Sequence, residues 1–216
     1  MSDLVLYNYY RSSTSYRARI ALHLKSLPFE YRAVSLIKDG GEQHKPEYQS
    51  LNPAGEVPTL IHGKRVIAQS MAVIEYLDDV FPTTPLFPKD PYARAQVKQI
   101  CEGINCGHSL TNLKVQNYLE KEIGVSPEKK SQWVKHWISK LCDSSEKLIA
   151  RTAGKYGFGD TVTAVDAFLI PHLFSANRFG VDISLYPTLA RVNDECLKLE
   201  AFKKAHPSQQ IDMPKS

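Results

Sequence analysis

The sequence lacks any apolar run approaching the roughly 18 residues that a membrane-crossing helix needs, so no span is expected. Met1 to Tyr10 hold neither a basic cluster nor a long apolar stretch, and no secretory signal is expected there. Cysteine is scarce: Cys101, Cys106, Cys142 and Cys196 stand far apart with no CxxC spacing. That pattern points to free thiols in a reducing cytoplasm rather than to a disulfide frame or a zinc site. The seven histidines include no HxH or HExxH, so no metal site is expected. GxSxG, P-loop and GxGxxG strings are all missing, which weighs against hydrolase, nucleotide-binding and dehydrogenase chemistry. No run of one charge is long enough for a nucleic-acid arm.

What is present is ordinary globular material. The chain has 216 residues, 43% hydrophobic and 23% charged, enough for one or two domains with a sizeable core. Its net charge of +4 is carried wholly by the residues after Thr84. Such modest basicity suits a small acidic substrate.

Leu4 to Tyr9 reads as a short apolar strand. The polar cluster Arg11-Ser12-Ser13-Thr14-Ser15 precedes a run in which Ile20, Leu24 and Leu27 recur at helical spacing, and Pro28 closes it. Phe29 to Leu36 alternates and reads as a second strand, so the first 36 residues form a βαβ unit with parallel strands. Two short β runs, Val57 to Ile61 and Val66 to Ala68, flank a glycine turn as a hairpin. Pro58 stands at a strand start, where a cis peptide fits. Gln69-Ser70 then opens a helix over Met71 to Val80. The proline-rich stretch 82–88 is read as a linker between an α/β domain, 1–81, and an all-helical domain, 89–216. Four helices are expected in the second domain, over Tyr92–Leu119, Pro127–Thr152, Ala164–Arg178 and Pro187–Ala205.

Several features carry chemistry. The free amides and dipole at the first helix start favour an anion, and a hydroxyl there adds a hydrogen bond; a plain N-cap would use the same residues. Val57, ahead of Pro58, can offer main-chain N–H and C=O to a peptide-like ligand, and Gln69-Ser70 can hold a carboxylate; a structural turn and a second N-cap are the alternatives. His108 and Asn112, four apart, are expected on one helix face. Arg178, near a helix end, can bind a carboxylate or simply answer the helix dipole. Thr163-Ala164-Val165-Asp166 reads as a structural capping box. Trp133 and Trp137 read as anchors of the core or of a subunit contact.

Together these features resemble the zeta class of glutathione transferases, whose signature SSCxxRVRIAL is similar to Ser12-Ser13-Thr14-Ser15-Tyr16-Arg17-Ala18-Arg19-Ile20-Ala21-Leu22. Asp39-Gly40-Gly41-Glu42-Gln43, Leu51-Asn52-Pro53, Gln69-Ser70-Met71-Ala72-Val73-Ile74-Glu75-Tyr76-Leu77, His108-Ser109-Leu110-Thr111-Asn112-Leu113 and Ala176-Asn177-Arg178-Phe179 look like the same class. The likeness spans nearly the whole chain. It departs in two places. Thr14 stands where the signature has its cysteine, and the segment 104–109 is one residue shorter, with Ser109 where a proline is common.

The resemblance implies a thioredoxin-like α/β N-terminal domain followed by an all-α domain. It implies an enzyme of the maleylacetoacetate or maleylpyruvate isomerase type, acting on a small acidic keto acid with glutathione as cofactor. A cytoplasmic homodimer serving tyrosine and phenylalanine breakdown is the expectation that goes with it. A general glutathione transferase or peroxidase is the alternative activity, and a non-catalytic scaffold the alternative class. By the same likeness Ser12, Ser13 and Thr14 are the catalytic candidates. Those three with Ser15, Tyr16, Arg17, Gln43, Val57, Gln69, Ser70, His108 and Asn112 are the glutathione contacts. Arg11 and Arg178 would hold the carboxylates of the substrate.

Overall fold

The computed structural model describes residues 3–214. The chain divides into two compact units: residues 1–86 together with 198–216, and residues 87–197. The sequence places 198–216 with the helical domain. Instead, its described part, 198–214, packs on the first unit, because its short helix lies against the first helix of the chain.

The first unit is a four-stranded sheet in the order β2-β1-β3-β4. β1 (Leu4–Asn8) and β2 (Glu30–Ala33) run parallel, joined through α1 (Ser13–Leu24). β3 (Thr59–His62) lies antiparallel to β1, and β4 (Arg65–Ala68) antiparallel to β3. The hairpin turns at Gly63, whose φ of +58° suits glycine. β1 alternates buried and half-buried residues, as an internal strand with differently covered faces does. Between β2 and β3 the chain makes two short 3-10 turns and a single-turn helix, α2 (Pro46–Gln49). α3 (Ser70–Val80) closes the α/β part, with Val73, Ile74 and Leu77 buried at helical spacing.

Two buried cations hold this unit together. Arg19 lies inside α1 and donates to Asn8 Oδ1, to the carbonyls of Tyr9 and Tyr10, and to the Ala205 carbonyl of α9 (Glu200–Ala205). Burial lowers its guanidinium to about 10, so it stays protonated at neutral pH. Lys25 pairs with Asp78 at 2.8 Å and also donates to the carbonyls of Phe81 and Thr84. Asp78 in turn accepts from the Leu86 N–H, so this pair pins the proline-rich stretch to the first unit.

The second unit is helical: α4 (Pro91–Ser109), α5 (Leu113–Lys121), α6 (Pro127–Ile149), α7 (Ala164–Arg178) and α8 (Pro187–Leu197). Two helices expected as continuous are broken. The first breaks where Asn112 adopts an extended backbone and its Oδ1 caps the Val115 N–H at 2.9 Å, starting α5 afresh. The second breaks at Leu199, also extended, which separates α8 from α9. The capping box at Thr163 and Asp166 is present: Asp166 Oδ2 accepts from Thr163 N–H, and its other oxygen from Gly157 N–H, both at 2.8 Å. Trp133 and Trp137 are half-buried with ring centroids 5.8 Å apart, and the Trp133 indole donates to the Leu110 carbonyl.

Candidate active site

The site in the first unit forms where β1 ends and α1 begins. Ser12 is the N-cap: its backbone is extended and its Oγ accepts from the Ser15 N–H at 3.2 Å. An α-helix leaves its first amides without intrahelical partners. No acidic side chain stands in the first turn of α1 to answer them, so its positive end is left for an external anion. The N-cap and the anion-site readings of Ser12 are therefore compatible.

Thr14 links this helix start to the loop before β3. Its Oγ1 lies 2.9 Å from Ser12 Oγ and donates to the Val57 carbonyl at 2.7 Å. The Val57–Pro58 peptide is cis, as the sequence suggests. The structure thus brings Ser12, Thr14 and Val57 together directly.

A second helix start belongs to α3. Gln69 caps it with a φ of +71°, a backbone that side-chain-bearing residues rarely adopt. Its side chain makes no cap hydrogen bond and donates instead to Glu56 Oε2 at 3.1 Å. Glu56 is next to Val57, so the two helix starts share one loop. Ser70 is buried and accepts from Arg17 Nη1 at 3.2 Å. This first turn also holds no acidic residue.

The remaining residues named from the sequence fall into three groups. Ser15, Tyr16 and Arg17, expected to touch the ligand, are no more than 1% exposed and leave no surface for contact. They brace the site from behind: Ser15 Oγ accepts from the Tyr9 N–H, and Arg17 fixes Ser70. They are covered because α1 is enclosed on all sides: residues 15–22 are all buried, with α3 and α9 packed against the helix. Ser13 and Gln43 are also largely buried, and Arg11 is half-buried beside Ser12. His108 and Asn112 do not share a helix face. α4 ends at Ser109, leaving His108 in its last turn, and Asn112 caps α5. Arg178 is exposed at the end of α7, its guanidinium 4.6 Å from the centroid of the Phe179 ring.

The structure adds groups the sequence did not single out. Asp212 accepts from the Tyr10 N–H at 2.9 Å and from the Tyr31 hydroxyl, which holds the tail beside the loop that leads to Ser12. A cleft of about 460 Å³ opens there, bounded by Tyr9, Tyr10, Ser35, Lys38, Glu42 and Asp212. Burial pushes the Tyr9 phenol up to about 12, against the pull of Arg11, so it stays protonated at neutral pH. No local signal marks Asp212, because its partners lie nearly a whole chain away.

The residues present fit glutathione. The Gln43 Oε1 is buried and accepts no hydrogen bond among the described residues, which leaves an acceptor for a peptide N–H. The α1 start with Ser12 suits a thiolate, and the α3 start with Gln69 and Ser70 suits a carboxylate. No group of three metal-ligating side chains occurs among the described residues.

A four-stranded thioredoxin-like sheet carrying two such helix starts, followed by an all-helical unit, defines a glutathione transferase. Residues 11–80 match the glutathione S-transferase N-terminal domain family. A probable maleylacetoacetate isomerase of Vibrio cholerae is 42% identical over 213 residues, covering 98% of this chain and 99% of that one. A holo structure of maleyl pyruvate isomerase, a bacterial glutathione S-transferase in the zeta class, matches with a TM-score of 0.93 and 40% identity, covering 97% of this chain and 100% of that one. A maleylacetoacetate isomerase from Anaeromyxobacter dehalogenans with bound GSH in its active site matches with a TM-score of 0.87 and 37% identity, covering 98% of each. The chain belongs to the zeta-class glutathione transferase and maleylacetoacetate isomerase family.

Proposed function

We propose that this protein catalyses the glutathione-dependent cis–trans isomerisation of maleylacetoacetate to fumarylacetoacetate. The observation that carries the reading is the Ser12 hydroxyl at an α1 start free of acidic residues, tied through Thr14 to Val57. Full-length relatives named as isomerases of maleyl keto acids support it.

Bound glutathione would supply a thiolate for reversible addition to the conjugated alkene, the displaced π pair resting on the conjugated carbonyl oxygen during rotation and returning as the C–S bond breaks, so the tripeptide would be regenerated. The protein's own part is positioning and charge stabilisation. Ser12 donates to the sulfur anion, with the first-turn amides of Ser13 and Thr14 around it. Gln43 and Val57 hold the cysteinyl and glycyl parts, and Gln69 and Ser70 hold the γ-glutamyl carboxylate. His108 and Asn112 contribute further polar contacts to the tripeptide. Arg11 and Arg178 hold the carboxylates of the acidic substrate.

The protein acts as a cytoplasmic homodimer in tyrosine and phenylalanine breakdown; sedimentation of the purified protein tests the dimer. No helix among the described residues is long and apolar enough to cross a membrane. Thr14, in place of the signature cysteine, favours a second reading, a general glutathione transferase or peroxidase that consumes its thiol.

An isomerase assay on maleylacetoacetate and on maleylpyruvate, with and without glutathione, decides between them. The expected result is trans product only with glutathione, all of which is recovered. Conversion without glutathione, or loss of thiol in step with product, overturns the isomerase reading. Faster turnover of maleylpyruvate reassigns the substrate.

A further inference from the structure

A threonine hydroxyl has one proton to give and lone pairs to receive with. Thr14 gives its proton to the Val57 carbonyl, an oxygen that can only accept, at 2.7 Å. The 2.9 Å contact between Ser12 Oγ and Thr14 Oγ1 therefore runs one way, with Ser12 donating. The Ser12 oxygen meanwhile accepts from the Ser15 N–H. The three residues form a directed chain from the start of α1 to the loop before β3.

We infer that Thr14 is a positioning residue that ties Val57 to the helix start and holds the Ser12 proton until a sulfur anion competes for it. The inference rests on the reading of this site as a glutathione site. The contest has a definite outcome. A hydrogen bond to an anion is roughly twice as strong as one between neutral groups, so the Ser12 proton turns to the sulfur once the thiol ionises. Thr14 then gives up a donor but keeps its own bond to Val57. The exchange makes ionisation harder than it would be if the Ser12 proton had no competing acceptor.

A cysteine at the same position would hold both neighbours weakly, since a thiol is a poor donor and a poor acceptor. Threonine here firms the grip on Val57 and raises the pH at which the bound thiol ionises. The departure from the class signature thus sets the balance between tripeptide affinity and thiol acidity.

The test uses the full-length protein and its Thr14→Val, Thr14→Ser and Thr14→Cys variants. Glutathione affinity is read by calorimetry, and ionisation of the bound thiol by absorbance titration. Thr14→Val binds glutathione about 3- to 10-fold more weakly, the worth of one net hydrogen bond. Its bound thiol titrates about half to one pH unit lower, because Ser12 has lost its competing acceptor. Thr14→Ser keeps both wild-type values, and Thr14→Cys falls between them.

A purely structural role for Thr14 would weaken binding and leave the titration unmoved or raised. That result in Thr14→Val overturns the inference, as does a serine variant that behaves like the valine one. Should the valine variant not fold, the cysteine variant decides the case by the same two readings. Wild-type protein that takes up no glutathione at millimolar concentration overturns the reading of the site itself, a different failure from bound glutathione whose titration ignores residue 14.

Discussion

Asp212 accepts a 2.9 Å hydrogen bond from the main-chain N–H of Tyr10, 202 residues earlier in the chain. Its other carboxylate oxygen takes the Tyr31 hydroxyl. The C-terminal segment thereby grips the turn that leads directly into Ser12. Replacing Asp212 by Ala leaves a main-chain donor and a phenol without their acceptor, at a cost of about 1–3 kcal/mol. The expected result is a lower urea midpoint together with a several-fold fall in isomerase activity. Wild-type values for both would show that the tail does not support the site.

Ser12→Ala removes the donor to the thiolate and the N-cap of α1 in one change. Loss of a donor to a developing charge is expected to cost on the order of 10²–10³ in rate. The lost cap costs about 0.5–2 kcal/mol of stability. The bound glutathione thiol should also titrate at higher pH. An absorbance titration identical to wild type would remove Ser12 from its assigned role.

Arg178 is exposed at the end of α7, over the Phe179 ring. If it holds a substrate carboxylate, Arg178→Ala raises the Michaelis constant for maleyl keto acids and leaves turnover of a neutral electrophile unchanged. Equal losses with a neutral halobenzene would contradict the carboxylate role. Steady-state kinetics with the two substrates side by side make the comparison.

The Lys25–Asp78 pair is almost wholly buried, with side chains 1% and 6% exposed. Lys25→Met strips the carbonyls of Phe81 and Thr84 of their donor and removes the cation that faces the buried Asp78 carboxylate. Breaking such a pair costs about 3–5 kcal/mol. Adding Asp78→Asn should recover part of the loss, because the buried charge is gone. Urea unfolding of the single and double variants measures this. A single variant as stable as wild type would show the pair to be dispensable.

Acid should weaken the fold through two histidines. Burial lowers the imidazole of His206, helped by Arg19, and burial lowers that of His23, helped by Lys204 and Arg19. The His206 Nδ1 accepts from the Ser208 N–H, a bond that requires that nitrogen to be unprotonated. The folded values lie below the unfolded value of about 6.5, so the unfolded chain takes up protons first. This contribution is intact above about pH 6.5 and declines as pH falls below it. The urea midpoint is expected to be lower at about pH 5.5 than at about pH 7.5, with a smaller difference in His206→Asn. An equal slope in that variant would exclude His206 as a source.

Much of the first unit was legible in the chain because its signals are local. The alternation of 4–9, the hydroxyl cluster before Tyr16 and the glycine turn at Gly63 each act over a few residues. The failures have physical causes too. Apolar spacing continues through 92–119, yet an Asn side chain that can cap is enough to restart a helix, so α4 and α5 separate at Asn112. Ser15, Tyr16 and Arg17 belong to the signature string, but the elements packed around α1, α3 and α9 among them, cover them. Similarity along a motif does not say which of its residues touch the ligand and which support those that do.

The amino-acid order by itself determined the βαβ–ββα sequence of elements, the capped helix starts and the residue set that marks the family, because propensities, caps and turns are settled between near neighbours. Tertiary structure decided what those neighbours could not. It folded 198–214 back onto the first unit and pointed the Ser12 proton at Thr14. It also put Asp212 against Tyr10. Hydrogen-bond direction and burial depend on groups that meet only after the chain has closed on itself.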